Sequence, residues 1–161
     1  MVAGVTTVCQ SGSMTDGELT ARECIRDLVS GYAHAADRGR FDEVAALFAP
    51  DGVLVLPDGD TMTGRDAVRD FLAGTGAGMR TGTAPTLIRH HVSSHHIIVD
   101  GLDAARGWAY FFVITDRGPD HWGRYVDRYA RHDGVWRFAS RRVRLDGWGP
   151  NSHAAERRST P

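Results

Sequence analysis

The chain has 161 residues, 42% hydrophobic and 24% charged, the proportions of one globular domain with a single sizeable core. Its formal net charge of −1 gives no global field toward nucleic acid or an anionic membrane. All nineteen basic residues are arginine, and without lysine no Schiff-base chemistry is open to it.

Residues 1–19 read as a flexible leader in which Met14 could equally serve as the natural start. The leader lacks the basic start and continuous apolar run of a secretory signal. No stretch approaches the roughly twenty apolar residues of a membrane span. Cys9 and Cys24 form neither a CxxC motif nor a metal spacing, so reduced thiols in a cytoplasmic protein are the simplest reading. Thr20-Ala21-Arg22-Glu23 has the form of a capping box, and Ile25, Leu28, Val29, Tyr32, Ala33 and Ala36 follow at helical spacing. Gly39 suits the end of that helix. A short second helix runs from Phe41 to Phe48 and is stopped by Pro50. Residues 53–56 read as a buried strand, residues 57–60 as a turn, and Thr63 as the cap of a third helix carrying Ala67, Val68, Phe71 and Leu72.

Gly74 to Thr86, with four glycines and Pro85, reads as a mobile cover near a pocket mouth. Four long strands are then predicted over 89–100, 104–116, 121–132 and 135–146, with Asp133-Gly134 a two-residue hairpin turn. Residues 148–161 read as a polar, disordered tail. Helices first and hairpin-linked strands afterwards predict an α+β domain over residues 20–147. Three N-terminal helices would pack on a strongly curved antiparallel sheet and enclose a cavity.

The strand over 89–100 carries His90, His91, His95 and His96. Alternation puts His90 and His96 on one face, about 20 Å apart, and His91 and His95 on the other, about 13 Å apart. Metal ligands must all lie within roughly 2 Å of one ion, so no metal site is predicted. An imidazole on a strand and a carboxylate, Asp37, at a helix end are instead the minimum kit for general acid–base chemistry. An acid in the last helical turn opposes the macrodipole, which fits either a solvated turn flanked by Arg38 and Arg40 or a functional carboxylate. Tyr32 lies on the apolar helix face, as core or as a donor to a substrate oxygen. His96 would line the deeper pocket if its strand has no bulge, whereas His34, His91 and His95 read as solvated or dimer-facing. Trp108, Tyr110 and Phe112 share one strand face and, with Tyr125, read as core or as substrate-binding wall. No nucleophile elbow, P-loop, dinucleotide fingerprint or basic aromatic stripe is present.

Three stretches together resemble the SnoaL-like branch of the NTF2-like superfamily. They are Tyr32-x4-Asp37 with Asp42-x5-Phe48-x2-Asp51-Gly52; Arg89-His90-x2-Ser93 before Ile98-Val99-Asp100-Gly101; and Gly123-x-Tyr125-x3-Tyr129-x-Arg131-x-Asp133-Gly134-x-Trp136-x-Phe138. The resemblance covers about residues 20 to 147 and implies an α+β cone with its pocket between the first helix and the concave sheet. Polyketide cyclases, scytalone dehydratase, bile-acid dehydratase and a dehydrochlorinase belong to this group. It implies that Asp37 and His90 form the proton-abstracting pair, that Tyr32 is an active-site tyrosine and that Arg131 is an active-site arginine. Phe112 stands where bile-acid dehydratase has a further aspartate, a departure from that pattern, so the resemblance does not carry over that enzyme's particular substrate and reaction.

The expectation is therefore a cofactor-independent, metal-free cyclase, dehydratase or isomerase of a bacterial biosynthetic pathway, acting on a hydrophobic polycyclic or polyketide-type metabolite. It would be a homodimer through the open sheet face, with no nucleic-acid or membrane partner. The rival is a non-catalytic binding or assembly subunit on the same fold, such as a dioxygenase small-subunit-like module.

Overall fold

A computed structural model describes residues 14–78, 87–153 and 155. Helix α1 (Asp16–Ala36) is followed by α2 (Phe41–Ala46), β1 (Phe48–Val55), β2 (Thr61–Thr63) and α3 (Arg65–Gly78). The long strands β3 (Ile88–Val99), β4 (Ala104–Thr115), β5 (Gly118–His132) and β6 (Val135–Trp148) complete it. All six strands form one open sheet in the order β2-β1-β6-β5-β4-β3.

The α+β order and the four long strands agree with the sequence reading, and several details differ. Helix α1 starts earlier than Thr20: Thr15 caps it by accepting from the Glu18 amide at 3.2 Å. Thr20 lies inside the helix, its hydroxyl donating to the Asp16 carbonyl at 2.8 Å. Phe48 and Pro50 belong to β1 rather than to the end and stop of a helix. Thr63 ends β2, and Gly64 at φ +85 leads into α3. The three helices are unequal: α1 has 21 residues and packs on β3 and β6, α2 has six, and α3 lies against β1, β2 and α2. The sheet is mixed, because β1 runs parallel to β6. Residues 74–78 complete α3 instead of opening a loose cover, and the rest of that stretch lies outside the described residues. Asp133 (φ 50) and Gly134 (φ 78) form the expected hairpin turn, with both central residues left-handed.

The core joins Ile25, Leu28, Val29 and Tyr32 of α1 to Phe48, Leu54, Tyr129 and Phe138 of the sheet. Bulges decide which strand residues face it, and three of them bear on the site. In β3, Ser93 pairs with Tyr110 and His96 with Trp108, so Ser94 and His95 together face Ala109; Ser94, at φ 50, is the added one. In β5, His121 pairs with Val113 and Pro119 with Ile114, which inserts Asp120. In β6, Phe138 pairs with Tyr129 and Ser140 with Arg128, which inserts Ala139. Each bulge shifts the alternation downstream and redirects a polar side chain inward.

Candidate active site

Helix α1 ends where β3, an edge strand, passes beside it. The outer amides of an edge strand have no neighbouring strand to pair with. Asp37, the C-cap of α1, takes one of them: the His90 amide donates to Oδ1 at 3.1 Å and to Oδ2 at 3.2 Å. The Nδ1 of the same residue lies 2.6 Å from Oδ1. These bonds explain how a carboxylate survives at a helix C-terminus despite the opposing dipole. An ionised carboxylate only accepts, so Nδ1 carries the proton and Nε2 of the neutral ring carries the lone pair. Both side chains are largely shielded, His90 at 17% exposure and Asp37 at 8%. A hollow of about 270 Å³ opens at the pair, rimmed by His34, Arg38, Arg89 and His91.

A second Asp–His pair stands close by. The His90 and His121 rings are 6.4 Å apart, and the Nδ1 of His121 is 2.6 Å from Oδ1 of Asp120. Phe111 touches the His121 ring at 5.8 Å and stacks on Tyr125 at 4.5 Å. This aromatic line continues to Tyr32, 6.3 Å from Tyr125, and ends at Arg141. The Arg141 guanidinium lies 4.0 Å from the Tyr125 ring centroid, 4.2 Å from that of Phe138 and 4.3 Å from that of Tyr32.

Arg141 is fully buried and pairs with Asp127 through two bonds, 3.0 Å from Nε and 2.7 Å from Nη2. Burial works to lower its pKa, but the charge and hydrogen bonds of Asp127 hold it above the usual arginine value. Its Nη1 is buried and has no hydrogen-bond partner among the described residues. Burial raises the pKa of Tyr32 and of Tyr125, so both phenols stay neutral. Asp127 also accepts from Tyr129 at 2.9 Å, and Tyr129 receives the Nε2 proton of His95 at 3.1 Å. Gly107 makes room for that bond, since a Cβ there would meet the Tyr129 hydroxyl at 3.0 Å. Burial lowers the pKa of His95.

Of the sequence-predicted residues, Asp37 and His90 meet directly. Tyr32 and Tyr125 sit deeper, beside Arg141. The others lie elsewhere. The Ser94 bulge turns His96 outward to stack on Trp108 at 5.9 Å and brings His95 inward in its place. Trp108, Tyr110 and Phe112 are on the outer sheet face, 38%, 59% and 38% exposed, while Ala109, Phe111 and Val113 face the core. The first three are therefore not pocket wall. Arg131 is exposed, its Nε donating to the Gly134 carbonyl at 3.1 Å near the start of α1. The interior arginine is Arg141.

Arg141, Asp127, Asp120 and His121 were not singled out by the sequence reading. A signal for Arg141 existed: inward Val143 and Leu145 share its parity, not that of Phe138, so the alternation must slip between them. Val92 and Ile97 carry the same break around Ser94. The described part of the tail is tied to β5 rather than loose, and the rest of it lies outside the described residues: the amide of Gly149 donates to the Asp120 carbonyl at 2.7 Å. The amide of His153 reaches the Asp120 carboxylate at 2.7 Å, and the Ser152 hydroxyl reaches it at 3.1 Å.

An α+β domain with an Asp–His pair between the first helix and an edge strand defines a class before any comparison. Residues 17–142 match the family of the SnoaL-like domain, and the chain belongs to that family. A candidate scytalone dehydratase from Novosphingobium aromaticivorans is 27% identical with a TM-score of 0.72, over 83% of this chain and 89% of that one. A Mycobacterium tuberculosis protein of unknown function is 28% identical with a TM-score of 0.69, over 84% and 78%. A hexachlorocyclohexane dehydrochlorinase from Novosphingobium barchaimii, 18% identical, shares the fold with a TM-score of 0.71 over 85% and 94%. Comparison with curated proteins gives no match.

No helix among the described residues is long and apolar enough to cross a membrane. Among them no three His, Cys, Asp or Glu side chains gather as a metal-binding group, and Cys24 is a free, exposed thiol.

Proposed function

We propose that this chain is a cofactor-independent acid–base enzyme of the lyase or isomerase kind, acting on a hydrophobic small molecule. The observation that carries the reading is the 2.6 Å contact between Asp37 and Nδ1 of His90, which presents Nε2 as a base. Nε2 removes a proton from carbon next to a carbonyl, and Asp37 stabilises the imidazolium that forms. The negative charge that develops on the substrate oxygen calls for preorganised donors. Tyr32, a neutral phenol, and Nη1 of Arg141 are the donors in the aromatic interior that fit this task. Phe111 and Tyr125 suit an aromatic or polycyclic skeleton of polyketide type. Dehydration, ring closure and isomerisation all begin or end with this proton transfer. In a bacterial biosynthetic pathway the enzyme would work in the cytoplasm as a homodimer.

The supporting relative is the candidate dehydratase, 27% identical over most of both chains. The test is a screen for bacterial metabolites retained by the purified protein, followed by turnover of each after dialysis against a chelator. Turnover that survives dialysis supports the reading, whereas activity restored only by added metal contradicts it. Recovery as a fixed complex with a larger catalytic chain, with no turnover of its own, would favour the assembly-subunit alternative.

A further inference from the structure

The proposed reaction leaves one part of the site without a task, the pair of Asp120 and His121. Three independent features build it. The β5 bulge makes Asp120 an added residue, so two consecutive side chains, Asp120 and His121, both turn from the outer face and meet at 2.6 Å. Asp120 is 2% exposed and held by the Ser152 hydroxyl at 3.1 Å and the His153 amide at 2.7 Å. Burial works to raise its pKa, yet the bonds from His121, the His153 amide and Ser152 hold it below the ordinary carboxylate value. The third feature is position. His90, Val113 and His121 are in register across β3, β4 and β5, so both imidazoles rise from one row of the inner face.

We infer that Asp120–His121 is a second proton-transfer pair of the same site, with His121 giving a proton where His90 takes one. The inference rests on the acid–base reading above and narrows it to reactions with two proton-transfer points on neighbouring atoms. Asp120 engages Nδ1 of His121, so Nε2 is the nitrogen that exchanges a proton, as in the first pair. Two rings 6.4 Å apart can reach adjacent atoms of one bound molecule. For a β-hydroxy carbonyl compound the step balances as follows. Neutral His90 takes the α-proton, the C–H electrons become the new π bond, and the C–O bond breaks. The departing oxygen takes the proton of imidazolium His121 and leaves as water. His90 ends protonated and His121 neutral, and exchange with solvent resets both. Asp120, Ser152 and the His153 amide act as positioning groups: they fix the His121 tautomer and ring plane.

Among the described residues, Asp120 on its own strand holds Nδ1 of His121, His90 of β3 with Asp37 of α1 behind it lies across from the ring, and the His153 amide meets the Asp120 carboxylate. The test is a histidine ¹⁵N NMR titration of the full chain and of His90→Gln, His121→Gln and Asp120→Asn, joined to mass-spectrometric mapping of diethyl pyrocarbonate modification. Both rings should hold the proton on Nδ1 when neutral and titrate at Nε2. Removing one ring removes a nearby positive charge, so the midpoint of the other should rise by about one pH unit. Both Nε2 atoms should be acylated in the folded chain, and Asp120→Asn should move His121 toward the other tautomer. A His121 ring that does not titrate, titrates independently of His90, or resists acylation while folded overturns the inference. A His90 ring carrying its proton on Nε2 overturns instead the function proposed above, so the two failures are distinguishable.

Discussion

The carboxylate of Asp37 receives both the backbone amide and the imidazole Nδ1 of His90, at 3.1 Å and 2.6 Å. The amide bond ties the end of α1 to the edge of the sheet, and the ring bond fixes the imidazole tautomer. One side chain thus sets both where the ring stands and which nitrogen is basic. The consequence is that Asp37→Asn should alter the chemistry of the ring more than its position, since an amide can still accept from the backbone.

The buried pair of Arg141 and Asp127 makes a stability prediction. Both side chains are almost fully enclosed, and Asp127→Ala leaves a guanidinium in the core without its counter-charge. The expected loss is about 3–5 kcal/mol, read as a drop in the urea unfolding midpoint at unchanged slope. Replacing both residues with apolar ones of similar volume should recover much of it. A wild-type midpoint in Asp127→Ala would show that Arg141 had found another partner.

His95 predicts a pH dependence. Its pKa is lowered in the folded chain, so the unfolded chain binds more protons as pH falls through the ordinary histidine value of about 6.5. Stability associated with this residue is present above that value and is lost progressively toward the lower folded pKa. Unfolding midpoints at pH 7.5 and 5.5 should therefore differ less in His95→Gln than in wild type. An unchanged difference would mean that other groups control the acid limb.

The outer sheet face predicts association. Trp108, Tyr110, Phe112 and Trp122 are each 38% or more exposed there, an aromatic surface that a second copy of the chain would cover. Sedimentation should give a dimer at micromolar concentration, and Tyr110→Glu should shift it to monomer with the circular dichroism unchanged. A monomeric wild type contradicts this.

Much of the architecture was legible because its signals are local. The helix of Ile25 to Ala36, the Asp133-Gly134 turn and the four long strands each rest on spacing within one segment. The parallel union of β1 with β6 is not local, and the sequence holds no turn that announces it. The site was legible where its residues precede a bulge, as with His90. It failed where they follow one: strict alternation sends His96 inward and Arg141 outward, and Ser94 and Ala139 reverse both. Trp108, Tyr110 and Phe112 misled for a different reason. Aromatic residues suit a pocket wall and an oligomer face equally, and only packing decides.

The central claim is that Asp37 and His90 transfer the proton, and turnover by their variants tests it most directly. With a substrate from the metabolite screen, His90→Ala and Asp37→Asn should each lower kcat by about two to four orders of magnitude while the fold persists. Because the pair acts as a unit, the double variant should be little worse than either single one. Near-normal turnover by both single variants would contradict the account and leave His90 a histidine of the pocket wall.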